Sequence, residues 1–223
     1  MDAGAWADGV WMTGSPRLDR NRLLRILATV LIIGCWSAPA AAILPQAGSS
    51  LAVGTAPLTT TVKPTVDTRQ LEQRTHELVN DQRARRGLQP LEHTEQIRLI
   101  ARSHSEDMAA RDYFGHKSPE GLGPVDRGRG EGHDCRKNYG SHYTTGLGEN
   151  IYAAPLYHAF TKVEGRIVSY IWLTPEGLAK KAVEGWMANK RHRENILDTS
   201  YDGTGVGVAI AKDGKVYFTQ NFC

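Results

Sequence analysis

Two histidines and a carboxylate stand out, each beside residues that form turns or element boundaries. His116 closes Tyr113-Phe114-Gly115-His116 ahead of a Ser118-Pro119-Glu120-Gly121 turn, Glu149 sits in Gly148-Glu149-Asn150-Ile151, and His192 opens His192-Arg193-Glu194-Asn195-Ile196-Leu197. Imidazole changes charge near neutral pH and doubles as a metal ligand, so such a set can move protons or hold an ion if the fold brings it to one cleft. Other motifs point to less. No Ser or Cys has a recognisable nucleophile elbow or partner. Gly203-x-Gly205-x-Gly207 is not a dinucleotide fingerprint, because no strand precedes it and no helix follows. Its glycines fit a strand passing close to another backbone.

The elements that must position these residues can be read in order. A first helix over about Thr68 to Arg86 carries Leu71, Thr75, Leu78, Val79 and Gln82 at helical spacing and ends at Gly87. Arg83, Arg85 and Arg86 at its end suit the helix macrodipole rather than a binding patch. A second helix from about Thr94 to Arg111 turns Ile97, Ile100, Ala101, His104 and Met108 inward, so His104 reads as a core histidine. Tyr113 to Leu147 is Gly-rich, polar and irregular, and loops of that length usually serve function. Gly148 to Ala153 reads as a strand, and residues 155–173 as an inserted hairpin containing Ile167 to Leu173. A third helix runs from an N-cap at Thr174, with Pro175 at N1, to about Lys190. Arg193 and Asn195 are expected to tie the loop after it. Strands at about Gly205 to Ala211 and Lys215 to Phe222 are joined by a two-residue Asp213-Gly214 turn. His93, His133, His142 and His158 are expected in loops facing water. Helices flanking a small antiparallel sheet make a layered α+β domain.

The N-terminal part reads differently. Residues 1–42 form an extension and an export signal: Arg17, Arg20, Arg22 and Arg25, then apolar Ile26 to Ile33, then small residues Ala38-Pro39-Ala40-Ala41-Ala42. Met12 makes a more ordinary start than Met1. Pro39 interrupts the run before the roughly 20 apolar residues of a membrane span, which favours cleavage over anchoring. Ile32-Ile33-Gly34-Cys35 also fits a lipoprotein signal with a lipid anchor at Cys35, but bulky Trp36 and the Ala-x-Ala site favour cleavage. Residues 43–67, rich in Thr, Pro, Ala and Gly, read as a disordered linker, and the domain as 68–223. Either fate of Cys35 leaves two cysteines in the domain, and export implies an oxidising compartment, so a Cys135–Cys223 disulfide is predicted. A net charge of +3 over 223 residues does not suggest a dedicated nucleic-acid surface.

Together, Ala101-x-x-His104-Ser105-x-Asp107-Met108-Ala109, Tyr113-Phe114-Gly115-His116, Gly148-Glu149-Asn150-Ile151, Trp186-Met187, His192-Arg193-x-Asn195-Ile196-Leu197 and Gly205-Val206-Gly207-Val208 resemble the CAP superfamily. That group comprises the cysteine-rich secretory, antigen 5 and pathogenesis-related proteins, and the likeness is to its secreted bacterial branch. It runs in the family's order through nearly all of residues 68–223. It implies a three-layer α-β-α sandwich, with a small antiparallel sheet between helices, and a large cleft lined by two His and two Glu. In some members that cleft binds a divalent metal, and some eukaryotic members bind sterols or other lipids.

Carried over by residue, His116, Glu149 and His192 match three of the four cleft positions. The family's second Glu, three residues after the helix Trp186, is here Asn189. On a helical wheel Leu178, Ala182, Trp186 and Asn189 share a face, while Glu184 lies opposite beside Glu176 and Lys180. Asn189 is therefore expected to point into the cleft, leaving it one carboxylate. Two-carboxylate acid–base catalysis needs a second. Two neutral imidazoles and one carboxylate still suit a Zn²⁺ site with an open position, with His116, His192 and Glu149 as ligands. The expectation is an exported CAP-like domain with no catalytic residue assigned, binding a lipid, sterol or other extracellular ligand in or near the cleft. The alternative is a divalent-metal-dependent hydrolase acting on a peptide or cell-envelope substrate. A structural or host-facing role with a vestigial cleft, and association with the cell envelope, stay open.

Overall fold

The structure, a computed structural model, describes residues 58–223. The export signal, Cys35, Met12 and linker residues 43–57 lie outside them. In chain order the elements are β1 (Thr59–Thr60), α1 (Thr68–Ala84), β2 (Glu92–His93), α2 (Glu95–Arg111), α3 (Pro124–Gly130), β3 (Arg136–Asn138) and β4 (Tyr143–Thr145). There follow β5 (Gly148–Pro155), β6 (Tyr157–Val163), β7 (Arg166–Leu173), α4 (Pro175–Ala188), α5 (Lys190–Leu197), β8 (Gly203–Ile210) and β9 (Lys215–Phe222). Among the described residues no helix is long and apolar enough to cross a membrane.

A four-stranded sheet in the order β2-β8-β9-β5 forms the middle layer, antiparallel except for the short β2, which runs parallel to β8. Period-two alternation sends Val206, Val208, Val216, Phe218 and Phe222 to one face, where they pack with Leu71 and Val79 of α1 and Leu178, Ala182 and Trp186 of α4. The other face is covered by α2. Built onto Gly205, a Cβ would stand 2.1 Å from Arg98 N, and on Gly207 2.0 Å from Arg102 N. Only glycine lets the helix backbone approach β8 this closely, and Ser105 Oγ then donates to Gly207 O at 2.9 Å. The predicted α-β-α sandwich is thus the fold, and the glycine run is the contact between two of its layers.

Cys135 and Cys223 form the predicted disulfide, with Cα atoms 5.5 Å apart, and pack with Leu147 against Ile97 and Ile100 of α2. The bridge fixes the 113–147 segment to the end of β9.

Several expectations change. Residues 59–60, read as linker, form a strand: Thr59 and Thr60 pair with Leu173 and Trp172 of β7. The Tyr113–Leu147 segment is not wholly irregular but holds α3, started by Pro124 at N1, and the β3–β4 ribbon. The third predicted helix stops at Ala188, because Asn189 takes extended dihedrals (φ −83°, ψ 127°) and starts α5, the helix that replaces the expected loop. The β8–β9 connection is longer than two residues: Ala211 N donates to Lys215 O, and the loop is Lys212-Asp213-Gly214. Arg83 stands in the last turn of α1, as expected. It is buried and donates to the carbonyls of Gln89, Ile196 and Asp198, joining α1 to the end of α5.

Candidate functional site

Glu149 is placed by its strand. On β5 it pairs with Asn221 of β9, and that Asn221 Nδ2 donates to Glu149 Oε2 at 3.1 Å. The side chain is only 2 % exposed. Its second partner on Oε2 is Arg127 Nη2 at 2.5 Å, from α3. On Oε1 it accepts from His116 Nδ1 at 3.0 Å. Burial would raise this carboxyl, but the His116 hydrogen bond and the Arg127 charge outweigh it and hold Glu149 below the ordinary carboxylate range. An ionised carboxylate only accepts, so His116 carries a proton at Nδ1, and in the neutral ring Nε2 is the nitrogen left with a lone pair.

The loop bearing His116 is held from two sides. His104, fully buried on α2 as its position on the inward stripe implied, donates from Nε2 to Gly115 O at 3.0 Å. Burial lowers its pKa. Arg127 Nη1 donates to His116 O at 3.1 Å and to Leu122 O at 2.9 Å. One guanidinium thus fixes both the carboxylate and the backbone of the histidine it orients.

His192 arrives on α5, and β5 holds that helix. Asn150, completely buried next to Glu149, donates from Nδ2 to His192 O at 3.0 Å and accepts from Asn195 Nδ2 at 2.9 Å. Asn195 Nδ2 also donates to Glu149 O at 3.2 Å. The His116 and His192 rings meet edge to face with centroids 6.3 Å apart. Burial, and then the nearby His116, lowers the His192 pKa, so this imidazole is neutral at physiological pH.

His116, Glu149, His192 and Asn195 line one open cleft of about 500 Å³, with Asn189, Arg191 and Glu194 completing the wall. His116, Glu149 and His192 therefore converge as the sequence suggested. Asn189 also reaches the cleft, but not by the expected route. The chain leaves the helix there, so the helical-wheel angle no longer applies; Asn189 is exposed and caps α5, its Oδ1 accepting from Arg191 N and His192 N. Glu184 faces solvent as expected, 3.9 Å from Lys180.

Two residues were missed by sequence reasoning. Arg127 lay in a stretch read as irregular, and nothing in its spacing linked it to Glu149. Glu194 supplies a second carboxylate to the cleft edge, exposed and 3.8 Å from Lys190. With α5 unrecognised, no periodicity could place it.

The donor set bears on an ion site. Among the described residues, no three His, Cys, Asp or Glu side chains stand together as a ready ligand group. Both Glu149 oxygens are engaged, so on the cleft wall this carboxylate acts as the orienting partner of His116. The free Nε2 of His116 and the neutral ring of His192 are the two donors that fit.

Comparison with known proteins agrees with this frame. The sequence model described as the Cysteine-rich secretory protein family (CAP) matches residues 76–222. Among curated proteins, the chain is 32% identical over 151 residues to the uncharacterized protein YkwD of Bacillus subtilis (strain 168), covering 68% of this chain and 46% of that protein. It is 32% identical over 147 residues to the uncharacterized membrane protein YlbC of the same organism, covering 66% and 32%. The chain thus spans less than half the length of both. Among solved structures, an extracellular protein containing an SCP domain from Bacillus anthracis str. Ames superposes with a TM-score of 0.51 at 26% identity, over 72% of this chain and 44% of that one. An outer surface protein of Borrelia burgdorferi also gives 0.51, over 72% and 97%, but at 15% identity it speaks to the fold alone.

Proposed function

The chain belongs to the cysteine-rich secretory protein (CAP) family, and from that premise we propose that it is an exported, non-hydrolytic binding domain whose cleft takes a polar extracellular ligand through His116 and His192. The observation that carries this reading is the state of Glu149, with both oxygens occupied and its charge met by Arg127. A general base must take up a proton, and a nucleophile must present a free oxygen. Glu149 is held for neither, and acts instead to fix the tautomer of His116. A lining of His, Asn, Arg and Glu favours a polar ligand over a lipid or sterol in this cleft.

His116 Nε2 and His192 are the residues that would hold a divalent ion, zinc being the best match for neutral imidazole. Bound there, such an ion would offer an open coordination position to a ligand oxygen. The test is calorimetric titration of the purified, disulfide-bonded chain with Zn²⁺. One equivalent binding at micromolar affinity or tighter, and lost in both His116→Ala and His192→Ala, is expected. Equal, negligible heat in all three proteins would remove the imidazole pair from the reading.

A metal-dependent hydrolase has one observation in its favour, the exposed Glu194 carboxylate on the same cleft wall. On that reading, zinc-loaded protein would cleave peptide or cell-envelope fragments, and Glu194→Gln would abolish the cleavage. Turnover that survives the substitution would exclude Glu194 as the base.

A further inference from the structure

Exposed apolar side chains gather on one hairpin, none of whose residues lines the cleft. The β6–β7 hairpin carries Phe160, Val163, Ile167, Val168 and Ile171, each between 42% and 59% exposed. Its tip is a two-residue turn, Glu164 (φ 50°) and Gly165 (φ 79°), joining the paired Val163 and Arg166. β6 is an edge strand, since this sheet runs β1-β7-β6.

Pairing register assigns the faces. Tyr157 opposes Trp172, Phe160 opposes Tyr170 and Lys162 opposes Ile167 on one face; Ala159 opposes Ile171 and Val163 opposes Arg166 on the other. The rings of Tyr157, Phe160, Tyr170 and Trp172 touch one another, in keeping with the first set. Apolar side chains therefore stand exposed on both faces of one ribbon. A rigid protein groove covers one face of a strand pair, whereas a fluid apolar phase surrounds both.

The remaining residues on the hairpin suit such a phase. Towards the base, Tyr157, Tyr170 and Trp172 are the amphipathic aromatics that favour the level of lipid head groups. Nearer the tip, Lys162 lies over Phe160 at 5.3 Å and Arg166 flanks the turn, while Lys63 lies over Trp172 at 5.5 Å. Glu164 is the one acidic residue between positions 157 and 173. Cations beside exposed apolar groups complement an anionic surface.

We propose that the β6–β7 hairpin is a membrane-contact element, setting its exposed apolar side chains into an anionic lipid surface while the cleft stays in water. This does not rest on the reading of the cleft. The test is flotation of the full chain with vesicles of equal parts phosphatidylglycerol and phosphatidylcholine, against phosphatidylcholine alone. Binding to the anionic vesicles is expected, weakened by high salt. It should fall at least tenfold in Phe160→Ser/Ile167→Ser, since each side chain would lose its apolar burial. It should fall comparably in Lys162→Glu/Arg166→Glu and not at all in Leu99→Ser, which alters an exposed apolar residue on α2. All of these positions are exposed, and circular dichroism checks that the variants fold. The proposal is overturned if the wild type does not bind, or if wild type and hairpin variants bind equally, which would place the contact elsewhere in the chain. It is also overturned if sedimentation shows a hairpin-dependent dimer without vesicle binding, which would assign the free edge of β6 to a second copy.

Discussion

Replacing Arg127 by Met isolates the interaction on which the cleft depends. The Glu149 side chain is 2 % exposed and that of Arg127 12 %, so the pair is nearly dry on one side and only lightly hydrated on the other. Breaking a buried pair from one side costs about 3–5 kcal/mol, mostly because a charge is left uncompensated. The partial access of water to Arg127, and the surviving bonds to Glu149 from His116 and Asn221, put the expected loss near the lower end, about 3 kcal/mol. Glu149→Gln should cost less, about 1–2 kcal/mol, since the stranded guanidinium keeps its carbonyl acceptors at His116 and Leu122. The double variant should be more stable than the sum of the single losses by about 2 kcal/mol. Urea unfolding of the four proteins at pH 7 measures the cycle. The sign can be checked by pH. Without the Arg127 charge the Glu149 carboxyl is held less far below its unfolded value, so part of the stability it lends above that value is missing, and the gap between Arg127→Met and wild type should narrow as pH falls into the acid range. An additive cycle, with Arg127→Met costing under about 1 kcal/mol, would refute the argument that this pair fixes Glu149.

Gly207→Ala should destabilise by more than about 3 kcal/mol or prevent folding, because its Cβ would meet backbone at 2.0 Å, while Gly214→Ala, strained in φ but open around the Cβ, should cost about 1 kcal/mol; thermal melts of both decide. Cys135→Ser/Cys223→Ser removes a bridge between residues 88 apart and should cost about 4 kcal/mol in urea unfolding. His76, His104 and His192 all have pKa values lowered by burial, below the unfolded value of about 6.5. The unfolded chain therefore takes up protons first as pH falls below that value, and the urea midpoint should drop between pH 7.5 and 5.5, less so in His104→Phe. A flat midpoint over that window would contradict the burial of these rings.

The layered fold was legible because its signals are local: the stripe on α2, the Thr174-Pro175 start of α4, the alternating β8 and β9, and the glycines that admit α2. The disulfide followed from counting cysteines. What escaped notice depends on partners distant in sequence. Glu72 carries no local signal in the sequence, yet it is buried, accepts from Val208 N of β8 and pairs with Arg98 and Arg102. Arg83 is buried because α5 ends above it, and α5 itself was hidden because a single extended residue, Asn189, separates it from α4. The site showed the same division. His116, Glu149 and His192 were identified by motif and do converge, whereas Arg127, whose guanidinium decides what Glu149 can do, carried no local signature.

The most direct test of the central claim is the protonation pattern of the two cleft imidazoles, read from long-range ¹⁵N–¹H spectra at pH 7.5 before and after Zn²⁺. His116 should carry its proton on Nδ1, His192 should be neutral, and both non-protonated nitrogens should shift together at one equivalent of zinc. A His116 protonated at Nε2, or rings that respond independently or not at all, would contradict that claim.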